Sequence, residues 1–131
     1  LKLRPGVKNL ILFCKKEKIK LAFVSSTSLN NINAILHSLR NSINKEDFSF
    51  VGNSKLVKKF KPNPAIYLLA LKKLKLKAND CLAIEDTQES LNSAKRAKIK
   101  CIIFPGKFHA SRKFSGALKK VYRLNKNIIL R

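Results

Sequence analysis

Apolar positions along the chain switch repeatedly between helical and strand periods, and the switches lay out an ordered series of elements. Val7, Leu10, Ile11 and Cys14 recur at helical spacing just after Arg4, Pro5 and Gly6, where a proline suits a helix start. The run from Lys20 to Val24 is nearly continuous in apolar residues, the mark of a strand buried on both faces. Ser25, Ser26, Thr27 and Ser28 then supply capping hydroxyls before Ile32, Ile35, Leu36 and Leu39, again spaced as a helix. Phe48 to Val51 predicts a second strand, closed by Gly52 and Asn53. A polar, lysine-rich loop leads to Lys61, Pro62, Asn63 and Pro64, and a third helix runs through Ile66, Leu69, Ala70 and Leu74. Asp80 precedes a strand over Cys81–Ile84, Gln88–Ala97 predicts a fourth helix, and Lys100–Phe104 a fourth strand stopped by Pro105 and Gly106. Beyond that point the pattern weakens, predicting a short helix around Ala117–Tyr122 and a terminal strand at Ile128–Leu130.

The order α-β-α-β-α-β-α-β predicts an α/β fold, a parallel sheet with helices on both faces. The 131 residues form one domain on this reading, with 106–131 as a C-terminal extension of the core.

Composition narrows the function. No apolar run is long enough to cross a membrane and no signal-peptide pattern opens the chain, so a cytoplasmic setting is expected. Cys14, Cys81 and Cys101 lie far apart without zinc-ligand spacing, which predicts buried thiols in a reducing compartment. The absence of methionine marks the chain as the expected downstream part of a longer protein. A net charge of +22 attracts anions in general. Its carriers are mostly lysines among many asparagines and isoleucines, the drift of an A/T-rich genome; the arginine forks and aromatic platforms of nucleic-acid surfaces are scarce. No specific nucleic-acid partner is expected, and the basic runs at Lys72–Lys77 and Lys95–Lys100 suit solvated faces.

The acids are the informative residues. Of 7 in the chain, Glu85, Asp86 and Glu89 share one short window, at the tip of an apolar strand in lysine-rich surroundings. That arrangement suits a divalent metal facing a phosphate. Taken singly, each candidate also has a bland role: Glu85 and Asp86 as a helix-start pair, Ser25–Ser28 as a cap, Lys61 as one solvated lysine among many. His37, within a helix, and His109, in a late loop, are bystanders on this reading.

Three blocks in order resemble the haloacid dehalogenase (HAD) superfamily, in particular its beta-phosphoglucomutase and CbbY-type branch. The first runs from Pro5 through Ser25, Ser26 and Thr27, the second from Lys61 to Tyr67, and the third from Ala83 through Glu85, Asp86, Thr87 and Gln88 to Leu91. The resemblance covers residues 3 to 105 and implies a Rossmann-like core that acts on a small phosphorylated metabolite, a sugar phosphate foremost, with Mg²⁺. It implies that Ser25 and Ser26 bind phosphate, that Ser25 and Lys61 serve catalysis with Lys61 also gripping the phosphate, and that Asp86 and Glu85 hold the metal. The chemistry is coherent, because a phosphoryl group in transfer needs donors, a cation and a metal around its oxygens.

The departures matter equally. The resemblance implies an Asp-x-Asp motif on a central first strand, whose first aspartate forms an aspartyl-phosphate, and a substrate-selecting cap; residues 1–131 contain neither. An upstream part of the same protein is expected to supply both. Without that strand, two sheet edges, those of the strands ending at Ser25 and Ile84, should face a gap. The family usually places Asp at Ala65 and Gly at Ser90 and Lys98, and Lys98 should disturb its corner. Two rival readings therefore stand beside the enzyme: a degenerate, non-catalytic HAD-like module, and a basic binder of nucleic acid or acidic partners.

Overall fold

The computed structural model describes residues 2–129. Helices α1 (Val7–Lys16), α2 (Leu29–Ser38), α3 (Ala65–Leu74) and α4 (Gln88–Arg96) alternate with strands β1 (Ala22–Val24), β2 (Phe50–Gly52), β3 (Leu82–Glu85) and β4 (Lys100–Ile103). A two-residue strand β5 (Lys119–Lys120) follows. The element order read from periodicity holds through β4.

Local chemistry sets the helix ends. Ser28 caps α2, its Oγ accepting from the Asn31 N–H at 3.2 Å, and Thr87 caps α4, its Oγ1 accepting from the Ser90 N–H at 3.1 Å. At the other ends, α1, α3 and α4 each close through a left-handed residue, where glycine is the usual occupant. Here all three are lysines: Lys18 (φ 57°), Lys75 (φ 58°) and Lys98 (φ 66°). The next amide turns back each time, Ile19 to Cys14, Leu76 to Leu71 and Ile99 to Ala94.

Every strand pairing is parallel, as expected, but the strands form two sheets: β1 with β2, and β3–β4–β5. Between the facing edges of β1 and β3 lies a slot of about 460 Å³, walled by Ala22, Val24, Ala83 and Ile84 of the strands and floored partly by Ala70 and Leu74 of α3. Helix α3 bridges the halves. Ala70 and Leu74 pack with Phe50 of β2, while Ile66 and Tyr67 join Ala83, Leu91, Ala94 and Ile103 in the core around β3, β4 and α4. A separate cluster of Ile11, Ile32, Leu36, Leu39 and Ile43 fills the space between α1 and α2.

The C-terminal expectations are overturned. Ala117–Tyr122 is not a helix, because the Leu118 and Val121 amides donate to the Cys101 and Ile103 carbonyls and draw the segment onto β4 as β5. A sheet edge with free carbonyls outweighs a weak helical spacing. The expected strand at Ile128–Leu130 gives way to a 3-10 turn over Lys126–Ile128. Leu130 lies outside the described residues. The tail packs Leu124 with Leu10, Cys14 and Phe104, and the Leu124 N–H donates to the Pro5 carbonyl at 3.2 Å.

Candidate functional site

The candidate residues gather at the carboxyl ends of β1 and β3, on either side of the slot. Parallel strands aim their ends at one rim, where α/β folds bind ligands. Lys61 reaches this rim from the loop before α3. Its Nζ donates to Glu85 Oε2 at 2.7 Å and lies 3.5 Å from the Val24 carbonyl, so one ammonium touches both half-sheets. The pair is largely desolvated, with the side chains of Lys61 and Glu85 only 8% and 11% exposed. Such a pair persists when further hydrogen bonds satisfy it.

Tyr67 supplies one of them. Its phenol donates to the same Glu85 oxygen, Oε2, and its ring centroid lies 5.4 Å from Lys61 Nζ. Burial, then the Glu85 charge and hydrogen bond, holds the Tyr67 phenol well above its ordinary pKa, so it remains a donor. Cys101, on β4, is pushed up to about 12, by burial first and by Glu85 next, and is an inert thiol.

The loop bearing Lys61 is braced from α4. Buried Ser93 donates to the Asn63 carbonyl at 2.7 Å, and Asn63 Oδ1 accepts from the Ala65 N–H at 2.9 Å. The Lys61–Pro62 peptide is cis. Helix α4 thus starts beside Asp86 and, from its second turn, steadies the loop that carries the cation.

Ser25 follows β1 directly and is half-buried; its Oγ accepts from the Thr27 N–H at 3.1 Å. This bond uses an oxygen lone pair and leaves the hydroxyl proton for an outside acceptor. Helix α2 begins only at Leu29, so Ser25 sits in a turn ahead of the helix and Ser28 is the cap. Ser26 is exposed. Asp86 is exposed beside Glu85 and makes no ion pair among the described residues. Arg4 stands close enough for the Asp86 charge to act on it. Its guanidinium donates to the Phe104 and Pro105 carbonyls and stacks 3.5 Å from the Phe104 ring centroid. Burial lowers the Arg4 pKa, and the Asp86 charge raises it in opposition.

The structure therefore brings Lys61 and Glu85 into contact, sets Ser25 next to Val24 and Asp86 next to Glu85, and leaves Ser26 without a described partner. Tyr67 and Arg4 were absent from the sequence reading of the site. Tyr67 carried a signal: it is the one polar-tipped residue among apolar neighbours on α3, and a buried phenol seeks a partner.

A profile of the haloacid dehalogenase-like hydrolases matches residues 1–98. The chain belongs to this family. The CbbY protein of Cereibacter sphaeroides is 36% identical over 115 residues, a match covering 88% of this chain and 50% of that protein. The phosphorylated carbohydrates phosphatase of Thermotoga maritima is 34% identical over 102 residues, covering 78% and 46%. The crystal structure of CbbY from Rhodobacter sphaeroides with phosphate superposes with a TM-score of 0.85 at 34% identity, over 91% of this chain and 53% of that one. A variant of the same protein has been solved with xylulose-(1,5)bisphosphate. The chain spans about half the length of these relatives. Among the described residues, no helix is long and apolar enough to cross a membrane.

The donor set agrees in kind with a hard divalent cation. Asp86 is exposed and Glu85 Oε1 accepts no hydrogen bond among the described residues. Two adjacent carboxylates fall short of the six or so oxygens such an ion takes, and no group of three or more His, Cys, Asp or Glu stands together among the described residues. Further oxygens would have to come from water, substrate or residues outside this chain.

Proposed function

We propose that the protein to which this chain belongs is a Mg²⁺-dependent phosphatase or phosphomutase of a small phosphorylated metabolite, a sugar phosphate foremost. The observation that carries the reading is the desolvated Lys61–Glu85 pair at the slot's rim, with Ser25 and Asp86 on its two flanks. The relatives point the same way, since one is named for phosphorylated carbohydrates and another was crystallised with a sugar bisphosphate.

On this reading an upstream segment fills the slot as a parallel strand between β1 and β3 and brings the nucleophilic aspartate to the rim. Such a strand would pair the two facing edges at once. The aspartate carboxylate attacks phosphorus, the bond from phosphorus to the sugar oxygen breaks, and the second aspartate of the motif protonates the leaving oxygen. Water then cleaves the aspartyl-phosphate, or a second sugar hydroxyl accepts the group. Ser25 donates its hydroxyl to a phosphate oxygen, and the Lys61 ammonium offsets the charge on the others. Asp86 and Glu85 would hold Mg²⁺, which supplies charge neutralisation at the phosphoryl oxygens. The cap lies in the same upstream part and selects the sugar.

The test compares Mg²⁺-dependent phosphomonoesterase activity of residues 1–131 with that of the protein extended upstream through the slot-filling strand. Activity is expected only in the extended form, and it should collapse in Asp86→Ala. A fully active Asp86→Ala protein would sink the metal assignment. Two folded but inactive forms would favour a non-catalytic module, and activity in the short chain would refute an upstream nucleophile.

A further inference from the structure

We propose that Tyr67 is a positioning residue for the metal site: it pins Glu85 by Oε2, so that Oε1 is the oxygen offered to a cation whether or not substrate holds Lys61. The inference rests on the proposed metal role of Glu85 and Asp86.

Two donors converge on Glu85 Oε2, the Lys61 ammonium at 2.7 Å and the Tyr67 phenol. Together they occupy both lone pairs of that oxygen, leaving Oε1 with no hydrogen bond among the described residues. The two donors differ in stiffness. Lys61 stands on a flexible four-carbon stem and is the cation that an incoming phosphate competes for. Tyr67 has two side-chain torsions, is 6% exposed, and is wedged on α3 among Ile66, Ala83, Leu91 and Ile103. When phosphate draws Lys61 towards itself, Tyr67 is the donor that stays. Glu85 then keeps its orientation at the moment metal and phosphate are both bound. Partners of this kind commonly set metal affinity by about 10–100-fold.

Tyr67→Phe removes only the hydroxyl and retains the ring, so the core around α3 survives. Two readouts are needed, made on the protein extended upstream: Mn²⁺ binding followed by electron paramagnetic resonance, and the Mg²⁺ dependence of phosphomonoesterase turnover. Tyr67→Phe should weaken Mn²⁺ about tenfold and raise the half-saturating Mg²⁺ in parallel. Turnover at saturating Mg²⁺ should stay within about twofold, a split that general loosening of the fold would not produce. The double variant Tyr67→Phe with Glu85→Gln should bind Mn²⁺ no worse than Glu85→Gln alone, since Tyr67 acts only through that carboxylate. Unchanged Mn²⁺ affinity in Tyr67→Phe, with binding lost in Asp86→Ala, would overturn the positioning role and leave the metal site standing. Strictly additive effects of the two substitutions would overturn it as well. A wild-type protein without Mn²⁺ affinity would remove the metal site and this role together.

Discussion

Replacing Gly6 with alanine should be among the most damaging single-methyl additions this chain can receive. Gly6 precedes α1 at φ 87°, and a Cβ placed there would sit 1.8 Å from the Leu124 carbonyl oxygen and 2.7 Å from its carbon. Those are backbone atoms, so no side chain can swing aside. The left-handed conformation alone costs an alanine about 1–2 kcal/mol. Ordinary contact lies near ~3.5 Å, so the tail must retreat by roughly 1.5–2 Å. That retreat breaks the bond from the Leu124 N–H to the Pro5 carbonyl, a loss of about 0.5–1.5 kcal/mol. It also exposes the Leu124 side chain, now 4% accessible, for about 1.5–3 kcal/mol more. The sum is about 3–6.5 kcal/mol, a large share of a typical domain's ~5–15 kcal/mol. With a urea dependence of about 2 kcal/mol per molar, the unfolding midpoint should fall by about 1.5–3 M. Circular dichroism in a urea series measures it, with Gly106→Ala as the control. Gly106 has φ −72° and nothing within 4 Å of its would-be Cβ, so that variant should hold or gain stability. Gly6→Ala within about 1 kcal/mol of Gly106→Ala would refute the claim that the tail is docked against this glycine.

Lys98→Gly, Lys75→Gly and Lys18→Gly should each stabilise by about 0.5–1 kcal/mol in the same urea assay, the relief of a left-handed side chain exceeding the added freedom of the unfolded chain. Lys61→Met should destabilise by about 3–5 kcal/mol because it strands the buried Glu85 carboxylate, and adding Glu85→Gln should recover much of the loss; additive losses would contradict the pairing. Asp47, bonded to Lys15 at 2.8 Å and to the Asn44 N–H, is held below the ordinary carboxylate pKa, by the Lys15 hydrogen bond first and the Asn44 N–H next. Its folded pKa is depressed, so its stabilisation is present above the unfolded value of about 3.9 and fades as pH falls through the folded one. Asp47→Asn should therefore flatten the acid side of a stability-versus-pH profile, and an unchanged profile would count against the pairing.

Much of the fold was legible because buried parallel strands and amphipathic helices write unambiguous periods. β1, β3 and β4 stand out as apolar runs, and the hydroxyl run Ser25–Ser28 announces the cap of α2. The weak spot was the chain beyond Gly106, where a strand of two residues held by neighbouring carbonyls leaves no period to read. At the site, the clustered acids gave Glu85 and Asp86 and the resemblance gave Lys61, but no spacing rule states that a lysine and a glutamate separated along the chain will meet. The Tyr67 hydroxyl became informative only once α3 was seen to lay it over the Glu85 oxygen. Lys98 was marked as a glycine position by resemblance, and its φ of 66° is the physical reason.

Among the described residues the two half-sheets share no backbone hydrogen bond, so until a strand fills the slot their cohesion rests on side chains and helix packing. Alongside the packing of α1 and α3 and the Arg4 bonds to the Phe104 and Pro105 carbonyls, Lys61 ties the slot's rim, leaning on Val24 of one half while gripping Glu85 of the other. A ligand that attracts the ammonium therefore also works on the seam between the halves, so occupancy and cohesion are thermodynamically linked. Amide exchange in β1 and β2 should then be separable from exchange in β3 and β4, with an anion at the rim moving the two rates relative to each other.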